Sequence, residues 1–288
     1  MEFLKDYEEE TESPYSFKDG VDLEVPGQSL ARPLDVLSLR KSGRLGRSVM
    51  VLDALYKYPF LDRCSLEACL HGGKTPAISD RQVWDCLNFL MDGEIVFTVN
   101  YDNFRFYALR EGARKQLSEA KGFSVTTPDL TDKSRVLETA ALCRWHAHFT
   151  AEGNVGANVI GQTMKFAGKT AIVDSYMEFR RSVRYRVFAF ASPRGSRFEE
   201  FAEKLSAFSE LQRESARRGL VTLTVIVASS VTEAEAIDRM LGAMDAFRGR
   251  RFYYALDQRR GRDAYGLTGL RYFESEGGEV ALRSVSIE

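Results

Sequence analysis

The chain lacks the marks of export or membrane insertion. Its first residues, MEFLKDYEEE, do not form a basic-then-apolar signal segment, and no apolar run approaches the roughly 18 residues that a bilayer span requires. The expected compartment is the cytoplasm, with no membrane partner. Cysteine is scarce, and Cys64, Cys69, Cys86 and Cys143 include no CxxC pair. The first three fall on inward faces of predicted helices, so the set reads as reduced, buried small hydrophobes. No glycine-rich phosphate loop of Walker or Rossmann type is present: GRLGRS, near residue 43, lacks a preceding strand and the Lys-Ser/Thr pair. Cys143, His146 and His148 fall on one predicted helix, but only Cys143 and His146 have the spacing that shares a helix face, so no metal is expected there. The sequence calls for no cofactor.

What the chain does have is enough apolar content for two cores: 288 residues, 44% of them hydrophobic. Its net charge of -1 conceals an uneven distribution. Residues 1–24 hold nine acidic groups against Lys5 and Lys18, which predicts a flexible acidic arm over residues 1–29. Residues 30–50 then carry Arg32, Arg40, Lys41, Arg44 and Arg47 against Asp35 alone.

From residue 47 the periodicity predicts a compact helical unit. RSVMVLDALYKYP places Val49, Leu52, Leu55 and Tyr56 on one helix face, and a second short helix turns Leu66, Cys69 and Leu70 inward. Ser79 is placed to cap a third helix, SDRQVWDCLNFLMDG, with Val83, Cys86, Leu87 and Leu90 inward and Gly93 as its stop. Two strands follow, EIVFTVN and FRFYALR, joined by the turn residues Tyr101, Asp102 and Asn103, and a helix from Glu111 to Ala120 closes the unit. Element by element this is a winged helix-turn-helix domain, assigned to residues 30–121 together with its basic N-terminal segment. The phrase YALREGARKQL resembles the wing-to-helix exit of many bacterial winged-helix proteins.

In such a unit the third helix enters a major groove while the wing lies along the backbone. The candidate DNA-binding residues are therefore Ser79, Arg81 and Gln82 on that helix, Lys74 just before it, and Asn103 and Arg105 on the wing. Arg40, Lys41, Arg44 and Arg47 are placed for phosphate contact, where each neutralised phosphate releases counterions. Asp80 and Asp85 oppose phosphate, so attraction must come mainly from outside the third helix.

Residues 122–132, with Pro128 and capping residues, form the expected linker, and residues 133–288 the second domain. A helix from Lys133 to Thr150 leads into the strands TAIVDSYMEF and VRYRVFAFA, which are joined at a basic turn holding Arg180 and Arg181. A helix from Ser196 to Arg218 follows, then the β-branched run LVTLTVIVAS, a helix from Thr232 to Arg248 capped by Thr232, and the strand FYYALD. This order predicts a mixed-sheet α/β sandwich whose helix-linked strands run parallel. Arg180 and Arg181 would extend the phosphate track.

The layout, with Asp174 in AIVDSYMEF, the strand VFAFA and the helix containing Lys204 and Phe208, resembles the replication-relaxation family of plasmid mobilisation and replication accessory proteins. The resemblance implies a winged helix followed by a restriction-endonuclease-like domain. Nucleases of that fold hold Mg²⁺ between acids on two adjacent strands, near a lysine. Asp174 fits the first acid, but the second strand presents Phe190 or Ala191 where the other is expected, and Lys204 reads as a helical partner of Glu200.

The second domain is therefore expected to be a catalytically degenerate relative, and the chain a non-catalytic DNA-binding accessory or regulatory protein. The implied partners are double-stranded DNA, a relaxase or replication protein, and a second copy forming a homodimer. Two other readings stay open. One is a metal-dependent DNA nuclease with an atypical active site using Glu178 or another unusual acid. The other is a transcription regulator with an α/β sensing domain.

Overall fold

The computed structural model describes residues 13, 15–25, 45–71, 79–152, 155–166, 169–180, 183–194, 197–217, 221–257, 270–276 and 279–284. Arg32, Arg40, Lys41, Arg44, Lys74, Arg181 and most of the acidic arm lie outside them.

Three helices open the described chain: α1 (Leu45–Lys57), α2 (Arg63–His71) and α3 (Asp80–Asp92). The inward face of α1 is Val51, Leu52, Ala54, Leu55 and Tyr56, whereas Val49, expected inside, is 42% exposed. Cys64 is also exposed, against its inward assignment, while Cys86 and Cys143 are buried. Helix α3 ends at Gly93, the expected stop and its C-cap, and the next residue, Glu94, is left-handed (φ 55). Its backbone bonds, Glu94 N–H to Met91 O and Ile95 N–H to Leu90 O, satisfy carbonyls that the helix end leaves open.

Strands β1 (Val96–Tyr101) and β2 (Phe104–Leu109) pair antiparallel from Val96↔Leu109 to Tyr101↔Phe104. The turn is thus only Asp102-Asn103, and Tyr101, assigned to it from sequence, is a fully buried strand residue. Leu61, ahead of α2, bridges to Tyr107 on one edge of this hairpin, and Glu24 bridges to Asn100 on the other. Helix α4 (Glu111–Lys121) follows and ends at Gly122 in the left-handed region.

Helix α5 (Lys133–Glu152) leads into a seven-stranded mixed sheet: β3 (Val155–Phe166), β4 (Lys169–Arg180), β5 (Arg184–Ala191), β6 (Val221–Ala228), β7 (Tyr253–Leu256), β8 (Arg271–Glu276) and β9 (Glu279–Ser284). Spatial order follows chain order, with β5, β6 and β7 parallel and the other neighbours antiparallel. The parallel pairings arise as expected, because α6 (Phe198–Arg217) and α7 (Val231–Ala243) carry the crossovers. The cap of α7 is Ser230, whose hydroxyl accepts from Glu233 N–H, in place of Thr232.

Alternating residues of β5 and β6 divide the core between the two faces. Phe188, Phe190 and Ile226 pack with Phe201, Leu205 and Phe208 of α6 and Ile237 and Leu241 of α7. Val187, Ala189, Val225 and Val227 pack on the opposite side with Leu137, Ala141 and Trp145 of α5. That second cluster continues without a break into the core of α1–α4. Among the described residues no helix is long and apolar enough to cross a membrane.

Candidate functional site

The capping chemistry of α3 decides which of its polar side chains face outward free. Ser79 Oγ accepts from Gln82 N–H at 3.4 Å, and Gln82 Oε1 accepts from Ser79 N–H at 3.1 Å. This reciprocal box satisfies two helix-end donors, so Gln82, expected to read bases, has its amide oxygen committed to the backbone. Arg81 and Asp85, one turn apart, are both exposed. On the hairpin, Asn103 occupies the turn beside Asp102, and Arg105 donates from Nε to Asn100 Oδ1 at 3.1 Å while remaining exposed. Lys18 pairs with Asp102 at 3.0 Å and offsets the acid at the turn. Arg47 is half-buried on α1, and Arg180 is exposed at the end of β4, in register with Arg184.

Sequence reasoning missed a cation beside this surface. Arg63, at the start of α2, lies 4.9 Å over the ring of Trp84 on α3, and Trp84 meets Tyr107 of β2 edge-on. Arg63 also pairs with Glu67 at 2.7 Å. Its link to Trp84 depends on tertiary packing and leaves no periodic signal.

Asp174 opens onto a cleft of about 570 Å³ walled by Leu142, Ile160, Ile172 and Phe201, with Glu138, Glu200, Glu203 and Lys204 among its charged lining. Lys204 pairs with Asp174, and Glu200 pairs with Arg135 of α5, which replaces the expected Glu200–Lys204 pair. Glu138 accepts from the Arg194 backbone N–H at 3.0 Å; burial pushes its carboxyl up, despite three nearby arginines. Glu178 is bonded by Tyr176 and paired with Arg184 and Arg186. Burial raises the Glu178 carboxyl, but these partners outweigh it and hold it below its ordinary value.

A third polar cluster is internal. Arg144 of α5 lies 3.2 Å from Asp62 and 3.6 Å from Asp257, which follows β7. Tyr15 donates to Asp62 at 2.6 Å, and Ser13 donates to Asp257 at 2.8 Å. On the same helix, His146 is fully buried with Nδ1 2.7 Å from Ser175 Oγ, and burial first, then Lys57, hold its pKa well below the ordinary value. Burial pushes the Cys143 thiol up to about 12. These two are core groups, and no cluster of three His, Cys, Asp or Glu suited to a metal ion occurs among the described residues.

Compared with models of known families and with curated proteins, the chain finds no match in either.

Proposed function

We propose that the chain is a non-catalytic accessory protein that binds double-stranded DNA through a winged helix-turn-helix unit. The observation that carries this reading is the open flank of α3, where exposed Arg81 shares one unit with a hairpin bearing Asn103 and Arg105. The Leu61 bridge to β2 supports it, because a third segment paired on that edge is what the sheet of a wing carries. Arg63, steadied on Trp84, joins the candidate phosphate contacts.

The α/β half is read as a restriction-endonuclease-like domain from its helix, three antiparallel strands, helix and parallel strand. Its donor set does not fit the Mg²⁺ that such nucleases use. Asp174 is paired with Lys204, Phe190 follows Ala189, the β5 partner of Ser175, and Glu178 is held by two arginines. This half is assigned to contact with a relaxase or replication protein, as the layout resemblance implies. Two copies of the chain would read paired half-sites.

The test is salt-dependent duplex binding by the full chain. Arg81→Ala should weaken the preferred site about tenfold and relax sequence preference, as loss of a base contact does. Arg105→Ala should weaken all duplexes alike and reduce the salt slope by about one. Failure of the full chain to bind any duplex would sink the proposal.

A further inference from the structure

The carboxyl ends of β5, β6 and β7 adjoin, and in α/β sheets the crevice outside such ends is where ligands bind. Ser192 leaves β5 with its N–H on Val227 O, and Asp257 leaves β7 with its N–H on Ala228 O. Arg194 follows Ser192 and reaches Glu233 of α7, donating from Nη1 to both carboxylate oxygens at 3.1 Å. All three side chains are sealed from solvent: Ser192 is 0%, Asp257 1% and Arg194 2% exposed. Yet Arg194 Nε and Nη2, Ser192 Oγ and Asp257 Oδ1 have no hydrogen-bond partner among the described residues. Buried polar groups rarely stay unpartnered, because each then loses its water without gaining a hydrogen bond in return.

The chemistry of these atoms is specific. Nε and Nη2 form one edge of the guanidinium plane, the edge that meets two oxygens of an oxyanion side by side. Ser192 adds a hydroxyl donor. Asp257 Oδ1 lies 3.6 Å from Arg144 Nε, an ion pair too long for a hydrogen bond, so it keeps an acceptor site for which the ligand would bring a hydrogen. A phosphate monoanion has acceptor oxygens for Arg194 and Ser192 and a P–OH for Asp257; acetate has no such hydroxyl.

We propose that the strand ends of β5–β7 form a binding site for a phosphate group, free or on a small monoester, centred on the Nε/Nη2 edge of Arg194. Ser13, ahead of a strap of residues 15–25, closes it. Ser13, bonded to Asp257, and Tyr15, bonded to Asp62, pin this strap over the strand ends, and opening the Ser13–Asp257 bond admits the ligand. The same strap bridges to the hairpin at Glu24↔Asn100, which connects the site to the N-terminal unit. Four charged or polar groups face Asp257: Ser13 from the strap, Arg144 from α5, Arg194 after β5, and Asp62 ahead of α2. Burial pushes the Asp257 carboxyl up to about 6, so above that value it is the ionised acceptor that a P–OH meets.

The experiment follows the Arg194 Nε–H resonance of the full chain during titration with inorganic phosphate at constant ionic strength, with acetate and chloride in parallel. A saturable shift with phosphate, weaker with acetate and absent with chloride, is expected, and the preference for phosphate over acetate should shrink below pH about 6, where Asp257 carries its own proton. Arg194→Gln assigns the resonance but also strips Glu233 of its cation, so Ser192→Ala is the discriminating variant. Its hydroxyl holds nothing in the fold, so phosphate affinity should fall about tenfold at an unchanged melting temperature. Ser13→Ala should tighten phosphate binding a few-fold by unpinning the strap. An unmoved Nε–H, or Ser192→Ala binding phosphate as well as the unchanged chain, overturns the site.

Discussion

The open flank of α3 with its hairpin and the charged seam across α5 contain the same kinds of residue in opposite settings. Arg81, Asp85 and Arg105 face water, and the contact of Arg105 is to a cross-strand neighbour. Arg144 has an 8% exposed side chain and gathers two carboxylates supplied by distant parts of the chain, Asp62 and Asp257. Charges of the first kind cost little to keep and remain available to a partner. Charges of the second kind are tolerated only while paired, since removing one partner strands the other in a low dielectric. The first set is thus left open to water, and the second ties the N-terminal strap, the approach to α2, and β7 to one helix.

The largest expected effect breaks the seam. Arg144→Ala leaves Asp62 and Asp257 without their cation and should cost about 3–5 kcal/mol in denaturant unfolding. Arg81→Ala, on the open flank, should stay within about 0.5 kcal/mol in the same measurement. Comparable losses from the two substitutions would erase the distinction.

The open flank was also the more legible region. The inward faces of α3 and α6 follow helical periodicity, and LVTLTVIVAS reads as a central strand because β6 is covered on both faces. The seam leaves no such trace: Tyr15 meets Asp62 across 47 positions and Ser13 meets Asp257 across 244. Strand β3 was missed because VGANVIGQTMKF mixes glycines and polar residues along a sheet edge, which blurs the two-residue alternation. Local rules also misassigned partners. Helical spacing favours Glu200 with Lys204, but Asp174 on β4 and Arg135 on α5 take those two side chains instead. Gln82 lies three residues after Ser79, and the cap engages its amide oxygen.

A finer test separates the two carboxylates that share Arg144. Burial raises Asp62, but Arg144 and the hydrogen bonds from Tyr15 and Ser65 outweigh it and hold the carboxyl below 3.8. At Asp257 burial wins, and its pKa is about 6. The signs oppose. Asp257 contributes stability that is full below its unfolded value and lost as pH rises through about 6. Asp62 contributes stability present above its unfolded value and lost as pH falls through its depressed folded one. Asp257→Asn should therefore gain on the unchanged chain as pH rises from 3.8 through about 6, by up to about 3 kcal/mol. Asp62→Asn should lose ground over the acid limb. Unfolding curves that run from the acid side of 3.8 up through about 6 decide it, and two variants moving in the same direction against the unchanged chain as pH rises would refute the division.

The smallest effect falls on the pair that belongs to neither class. Asp174 and Lys204 have side chains 22% and 30% exposed at the mouth of the cleft, so water screens much of their attraction. Lys204→Gln should cost no more than about 1 kcal/mol, and less at high salt. Such a small, salt-sensitive cost would group this ion pair with the open surface, despite its place beside the apolar wall of the cleft. A loss of about 2 kcal/mol or more that persists in salt would instead make it an extension of the buried seam, linking β4 to α6 as Arg144 links α5 to β7.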